Sequence, residues 1–588
     1  MDEELLKLRG DKTLSSKELF RRLRKYLKPK LWSFIIAFVF IILNVACAAI
    51  LPMILGYLVD SFESPTNDLL KIVIFSAIGY FGLSLINQGF RYLETMILQK
   101  AGQRIIYQLR VEVFNHIESM SLNQFNEMPV GSLVTRVANY TTAMSNFFTN
   151  TVVNIARNIL TVLIVYAVMI YYSWRLALVQ LSIVAIIFAI TFIFRYVVGR
   201  QYRQQRALVS DLNAYLSENL SGMRIIQLFN QEKRKMGEFE KRNNKLLKQN
   251  LKILVSYTMY RPLVTFMEAL SIGMTFILGV KFTLSAGEIV AFYMYLARFF
   301  EPIQSLADEL NHIQMAKTAA ERLFNLLDVE PQVLDKEDAR EIDHFEGKIE
   351  FKNVWFAYEK DNWILKDVSF VINPKETCAF VGATGAGKTT ILSLLVRNYE
   401  IQKGQILIDD IDIKDIKIES LRKAIGQMLQ DVFLFSGSIK SNITLHNDEI
   451  SDEKVNEICR YVNADSFITK LDNGIHSEVI ERGENFSQGQ RQLLSFARTV
   501  IHEPQILILD EATANIDTET ELLIQDSLEK MKSIGTMLVV AHRLSTIQKA
   551  DQIICLQNGE IVEKGTHQQL LKHKDYYYKL YQLQFDEN

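Results

Sequence analysis

Across 588 residues there are only four cysteines, Cys47, Cys378, Cys459 and Cys555, and no Cys-x-x-Cys pair. That scatter argues against a disulfide framework or a thiolate metal site and fits buried thiols in a reducing compartment. Net charge is nearly absent as well: 65 Lys and Arg stand against 67 Asp and Glu, a formal balance of −2. Low-complexity tracts and fixed-period repeats are missing, which argues against solenoids and flexible arrays. No proline falls between Lys71 and Met120, so nothing there forces a helix to stop. The start Met-Asp-Glu-Glu, followed by an overlong apolar run, fits no cleavable signal peptide.

What the chain does have is apolar length. Hydrophobic residues make up 49% of it. Six stretches, near 32–58, 70–96, 150–172, 176–197, 255–281 and 288–310, approach or exceed the ~20 residues that cross a bilayer. The loop 59–70 carries Asp60, Glu63 and Asp68 but no basic residue, whereas 195–252 is rich in Arg and Lys, from Arg195 and Arg200 to Lys241 and Arg242. That asymmetry puts both termini and the long connections in the cytoplasm. The first thirty residues hold ten Lys or Arg. Lying just before an apolar span, they point to a membrane surface and not to nucleic acid. Ser16 to Lys28 spaces Leu19, Phe20, Leu23 and Leu27 at helical intervals, which predicts a helix lying on the bilayer. An unbroken helix of ~50 residues over 71–120 would be ~75 Å long against a ~30 Å hydrocarbon core. The spans should therefore run on into the cytoplasm. These patterns divide the chain into a tail and surface helix (1–30), a membrane domain (31–315), a charged linker (316–346) containing Asp335-Lys336-Glu337-Asp338, and a nucleotide-binding half (347–588).

The chemistry is concentrated in that last part. Gly382-Ala383-Thr384-Gly385-Ala386-Gly387-Lys388-Thr389-Thr390 is a phosphate-binding loop between an apolar strand, 377–381, and a helix that starts near Ile391. Its glycines let backbone N–H groups turn inward around phosphates, with Lys388 reaching the β- and γ-phosphates and Thr389 holding Mg²⁺. Further on, Ile506-Leu507-Ile508-Leu509-Asp510-Glu511 reads as a buried strand ending in two carboxylates. Asp510 would anchor the Mg²⁺ shell and Glu511 would orient and deprotonate the attacking water. ATP and Mg²⁺ are the cofactors these residues predict.

Phe486-Ser487-Gln488-Gly489-Gln490-Arg491-Gln492 resembles the Leu-Ser-Gly-Gly-Gln signature of ABC ATPases, at the usual interval before the Asp510–Glu511 strand. The order membrane half, then ATPase half, resembles a type IV ABC exporter half-transporter over nearly the whole chain. The fold class this implies is a membrane α-helical domain of six transmembrane helices with long cytoplasmic extensions, followed by an α/β P-loop ABC nucleotide-binding domain. By resemblance, Tyr358 is the aromatic that stacks on adenine, Gln430 the Mg²⁺-sensing glutamine, His542 the switch histidine at the γ-phosphate, and Asp517 the aspartate that crosses the dimer interface. Glu481 and Arg482 lie in the loop that touches coupling helices. Phe125 to Arg136, with Gly131, resembles the first coupling region, and Glu218 to Gln227, with Gly222 and Arg224, the second.

In the family, a signature holds ATP on the opposite subunit, so one P-loop and one signature per chain imply a dimer. Two departures bear on its composition. Phe486 replaces leucine and Gln488 replaces the first signature glycine, while Asn515 and Ile516 alter the segment before Asp517. With Lys388, Glu511 and His542 intact, the pattern predicts a heterodimer. This chain would supply working Walker motifs, and a non-identical partner lacking the catalytic glutamate would carry the site completed by Gln488. The alternative is a homodimer that tolerates Gln488. The ionisable residues Glu268 and Arg298, with Glu301 beside the latter, and the aromatics Phe292 and Tyr295 are candidates for the substrate pathway or, for the aromatics and the Arg298–Glu301 pair, for helix packing. The resemblance implies ATP-driven export of hydrophobic or amphipathic, drug-like small molecules through the lipid bilayer of a bacterial cell membrane. Lipid or lipid-linked flipping and peptide export are the transport alternatives. A non-transporting regulatory protein is the alternative of a different class, and the intact Glu511 argues against it.

Overall fold

The computed structural model describes residues 14–63, 68–359, 362–429, 431–510, 518–540 and 547–585. Two compact units emerge, one formed by the helices up to residue 329 apart from 116–129, the other by residues 330 onward together with 116–129.

The helical unit is built from α1 (Ser16–Leu27), α2 (Leu31–Glu63), α3 (Leu69–Ser119), α4 (Val152–Ser221), α5 (Glu232–Lys281) and α6 (Ala286–Leu327). Among the described residues four helical runs are long and apolar enough to cross a membrane, 17–63, 69–119, 130–221 and 232–281. The third holds two of the expected spans, because α4 leaves helical geometry at Ser173 (φ −160°, ψ 104°). The sixth expected span falls in α6, which is helical throughout, but Arg298 and Glu301 interrupt its apolar sequence and it is not among the four. Helix α3 is 51 residues long without a break, as the missing prolines predict.

One expectation, the extent of the linker, needs correction here. Helix α1 forms, with Ser15 capping it through the Glu18 N–H (3.2 Å), and part of its apolar face packs inside the helical unit. Leu19, Leu23 and Tyr26 are buried in the protein. Tyr26 stacks on Phe324 of α6 and donates to Glu112 of α3 (2.9 Å), and Arg22 pairs with Asp328 (2.6 Å). The segment 316–346 is not a linker throughout, since α6 runs to Leu327 and buries Ala316, Ala319, Ala320 and Leu323. The aromatics of α6 pack inside the helical unit: Phe292, Tyr295 and Phe299 are fully or almost fully buried against Val165, Met169 and Leu176 of α4. Without water, each buried donor needs a protein acceptor. Tyr295 accordingly donates to the Ala49 carbonyl and Arg298 to the Ala48 carbonyl, both on α2. No Arg298–Glu301 ion pair forms among the described residues. Helices α2 and α6 approach so closely that a Cβ on Gly287 would sit 2.0 Å from the Gly56 carbonyl oxygen. Asp60 tightens the crossing by accepting from the Gly287 N–H (2.6 Å) and the Ser285 hydroxyl (2.9 Å).

The second unit is α/β. An antiparallel sheet of β1 (Ile349–Ala357), β2 (Trp363–Ile372), β4 (Lys403–Ile408) and β5 (Ile411–Asp412) runs in the order β2-β1-β4-β5. A six-stranded sheet runs in the order β12-β11-β3-β10-β9-β6, from β3 (Thr377–Val381), β6 (Ile425–Met428), β9 (Ile506–Asp510), β10 (Thr536–Val540), β11 (Gln552–Gln557) and β12 (Glu560–Gly565), beside a two-stranded ladder of β7 (Gly437–Ser438) and β8 (Glu478–Val479). Its inner strands are parallel and read as unbroken apolar runs because both faces are covered. Residues 334–342 are tied to this unit: buried Arg397 donates to the Leu334 carbonyl (2.8 Å), and the Ile342 N–H to Ser420 Oγ (3.3 Å).

Candidate nucleotide site and signature helix

Parallel strands deliver their loops to one edge, where ligands of open α/β sheets bind. Phe380 of β3 and Asp510 of β9 both stand opposite Val540 of β10. The phosphate loop and the first carboxylate therefore leave the sheet side by side, two strand spacings or roughly 10 Å apart.

The loop itself is shaped by glycine. A Cβ at Gly382 would sit 2.3 Å from the Leu556 carbonyl oxygen, and Gly387 (φ +104°) caps helix α7 (Lys388–Leu395) in the left-handed region that favours glycine. Lys388 is largely buried, its ammonium donating to the Gly382 (2.8 Å) and Ala383 (3.1 Å) carbonyls. Burial lowers its pKa from the ordinary lysine value, and the Asp510 carboxylate acts to raise it. Ala383, Thr384, Gly385 and Thr389 are exposed at the helix start, while Ala386 and Thr390 are buried. The exposed ring of Tyr358 is anchored to the loop through its hydroxyl, 3.1 Å from Thr390 Oγ1.

These residues fit a nucleoside triphosphate with Mg²⁺. Inward-facing backbone N–H groups at a helix N-terminus, a half-desolvated ammonium, the Thr389 hydroxyl and the Asp510 carboxylate supply complementary charge and hard oxygen ligands. Glu511, Asp517, His542 and Gln430 lie outside the described residues. Sequence reasoning missed Tyr399, which meets Tyr358 edge-on (5.1 Å between centroids) and is hydrogen-bonded by Asn126 of the 116–129 segment. Its only signal was an aromatic shortly after the loop's helix.

The signature begins helix α8 (Gln488–Val500). Ser487 caps it: its Oγ accepts from the Gln490 N–H (3.2 Å), and Gln490 Oε1 accepts from the Ser487 N–H (2.9 Å). Phe486 is buried edge-on against Phe467 (5.9 Å), so the change from leucine is absorbed by the core. Gln488 is exposed and Gly489 buried. No hydrogen bond or ion pair joins 487–490 to 382–390 among the described residues. Arg482 (φ 58°) and Glu481 are exposed before the helix, with the Arg482 carbonyl accepting from Arg491 (3.4 Å). In the helical unit, Gly222 ends α4 and opens the short helix Met223–Leu228, where Arg224, Ile225 and Leu228 are exposed. Glu268 sits half-exposed on α5.

A helical membrane unit and a P-loop α/β unit on one chain define a transporter driven by nucleotide hydrolysis. The chain belongs to the ABC transporter family: residues 34–303 match the ABC transporter transmembrane region and 365–514 the family described as ABC transporter. It is similar to the putative ABC transporter ATP-binding protein exp8 of Streptococcus pneumoniae, with 37% identity over 96% of this chain and 97% of that one. Similar too are the probable multidrug resistance ABC transporter ATP-binding/permease protein YheH of Bacillus subtilis (37%; 86% and 76%) and the ATP-dependent lipid A-core flippase of Syntrophus aciditrophicus (33%; 97% and 95%). The chain is an exporter-type half-transporter, a membrane-embedded ATPase coupled to transport, and half-transporters of this family act as dimers.

Proposed function

We propose that this chain exports hydrophobic or amphipathic compounds from the cytoplasm of a bacterium, as the catalytically complete half of a heterodimer in the plasma membrane. The observation that carries the reading is the loop at 382–390, built for phosphates on the same chain as the membrane helices. Lys388 neutralises phosphate charge, Thr389, Gln430 and Asp510 hold Mg²⁺, Tyr358 covers the adenine, and Glu511 takes the proton of the attacking water while His542 contacts the γ-phosphate. Ser487, Gln488, Gly489 and Gln490 face the partner's nucleotide, Asp517 crosses between the ATPase halves, and Gly222, Arg224, Glu481 and Arg482 transmit closure to the membrane helices. Closure around ATP opens the membrane half outward, and hydrolysis resets it. Glu268 and Arg298 are the pathway candidates, while the burial of Phe292 and Tyr295 favours helix packing for the aromatics. Relatives named for multidrug resistance support drug-like cargo, and one named for lipid A-core flipping supports a lipid as the second reading.

The test is ATP-dependent accumulation of a fluorescent amphiphile in inside-out vesicles carrying the assembled transporter. Uptake should require ATP and vanish in Lys388→Ala, which removes charge-assisted phosphate contacts worth about 1.5–3 kcal/mol each. ATP hydrolysis without directional uptake of amphiphiles, lipids or peptides would replace this reading with a regulatory one.

A further inference from the structure

Between Val130 and Val152 the helical run 130–221 leaves α geometry twice. Arg136–Tyr140 and Phe147–Thr151 each form a π turn, separated by the α-helical residues Thr141–Asn146. In a π turn the backbone N–H groups bond five residues back, so the turn holds about one residue more than an α turn. Such turns are rare and mark functional sites more often than chance, because the α alternative is better unless neighbours hold the wider form.

The two turns are held differently. The second is locked into the packing. Phe148, Thr149 and Thr151 are buried, the Thr149 hydroxyl donates to the Ser145 carbonyl (3.0 Å), and a Cβ on Gly102 of α3 would stand 2.1 Å from Thr149 Cγ2. In the first turn only Arg136 is buried. Its carbonyls are served from side chains, with Thr141 donating to Val137 (2.6 Å) and Thr142 to Ala138 (2.7 Å). Those hydroxyls are in turn held by Arg110 of α3, which donates to Thr141 Oγ1 (3.3 Å) and Thr142 Oγ1 (3.0 Å), and Arg322 of α6 donates to the Tyr140 hydroxyl (2.5 Å). Arg110 and Arg322 are both exposed. Water competes for their hydrogen bonds, so each holds the turn only weakly.

We propose that the first π turn, Arg136–Tyr140, is a register hinge: it closes to α geometry by giving its extra residue to the helix Val130–Thr135, while the second turn stays fixed. One residue is about 100° of rotation and about 1.5 Å of rise, so each position below the hinge takes the face its predecessor held. Val134, 60% exposed, moves to the place of Leu133, 4% exposed, and Leu133 moves to that of half-buried Ser132. Shifts of one packed helix against its neighbours are a common form of switching. The hinge rests on the exporter reading for its trigger, ATP, because Val130 to Arg136 lies in the segment that resembles the first coupling region.

Maleimide labelling of the assembled transporter, read peptide by peptide with and without ATP in the Glu511→Gln background, tests this. Leu133→Cys should react at least about threefold faster with ATP, and Val134→Cys at least about threefold slower, since thiol reactivity follows exposure. Deletion of Ala138 removes the extra residue and keeps the flanking faces, so it should abolish both changes. If that deletion does not assemble, Arg110→Ala is measured instead, because it only frees Thr141 and Thr142. The rates without ATP should then move at least about twofold toward those with ATP. Rates at 133 and 134 that move together or not at all on ATP binding overturn the hinge. So do opposite changes that survive the deletion, or rates unmoved by Arg110→Ala. ATP binding is measured on the same samples: binding without exchange counts against the hinge alone, whereas absence of binding overturns the ATP-driven reading and the trigger with it.

Discussion

The two halves of this chain keep their polar groups in opposite ways. In the ATPase unit the residues of the phosphate loop gather at one sheet edge, and the loop's lysine finds its partners nearby in sequence: Lys388 reaches carbonyls five and six residues back. In the helical unit, polar groups are spread through apolar helices and meet partners far away along the chain, as Glu94 meets Arg157 and Asn154 meets Glu309. Water explains the difference. The ATPase edge is open to solvent and to ATP, so its unpaired groups cost little until ligand arrives. A buried group among membrane helices must find a protein partner or remain a costly defect.

That contrast makes the ATPase half brittle in its chemistry and the helical half tolerant at single hydrogen bonds. The largest effect should come from Glu511→Gln, which removes the general base and should lower steady-state phosphate release by about 10²–10⁴-fold while leaving nucleotide binding intact. Hydrolysis at the unaltered rate would show that the base lies elsewhere. Next, Phe486→Ala empties a buried site beside Phe467 and should destabilise the ATPase unit by about 3–5 kcal/mol in denaturant unfolding. A cost below about 1 kcal/mol would mean the signature's aromatic is not part of the core. The smallest effect belongs to the membrane half. Tyr295→Phe loses one hydrogen bond to Ala49 and should cost about 0.5–1.5 kcal/mol, with transport preserved. Loss of transport at unchanged stability would return Tyr295 to the substrate pathway.

The same contrast governs what was legible in the sequence. Loop 382–390 was readable because phosphate chemistry demands glycine, lysine and a hydroxyl at fixed spacing. The 51 residues of α3 were readable because they contain no proline. Helix α1 was recognisable from its period, but its docking on α3 and α6 depends on Glu112, Phe324 and Asp328, whose proximity no local pattern reveals. The aromatics of α6 carried the same ambiguity, since a stripe that lines a cavity and one that fills a core share a spacing. Glu94 and Arg157 went unnoticed for that reason too: each is ordinary alone, and only the fold pairs them.

The central claim is that this chain's own ATP site is complete while its altered signature, at Gln488, serves a different subunit. The most direct measurement is the composition of the active complex, purified through a tag on this chain from the cells that make it. The account predicts equal amounts of this chain and a second half-transporter whose residue after the Walker aspartate is not glutamate. An active complex containing only this chain would contradict it.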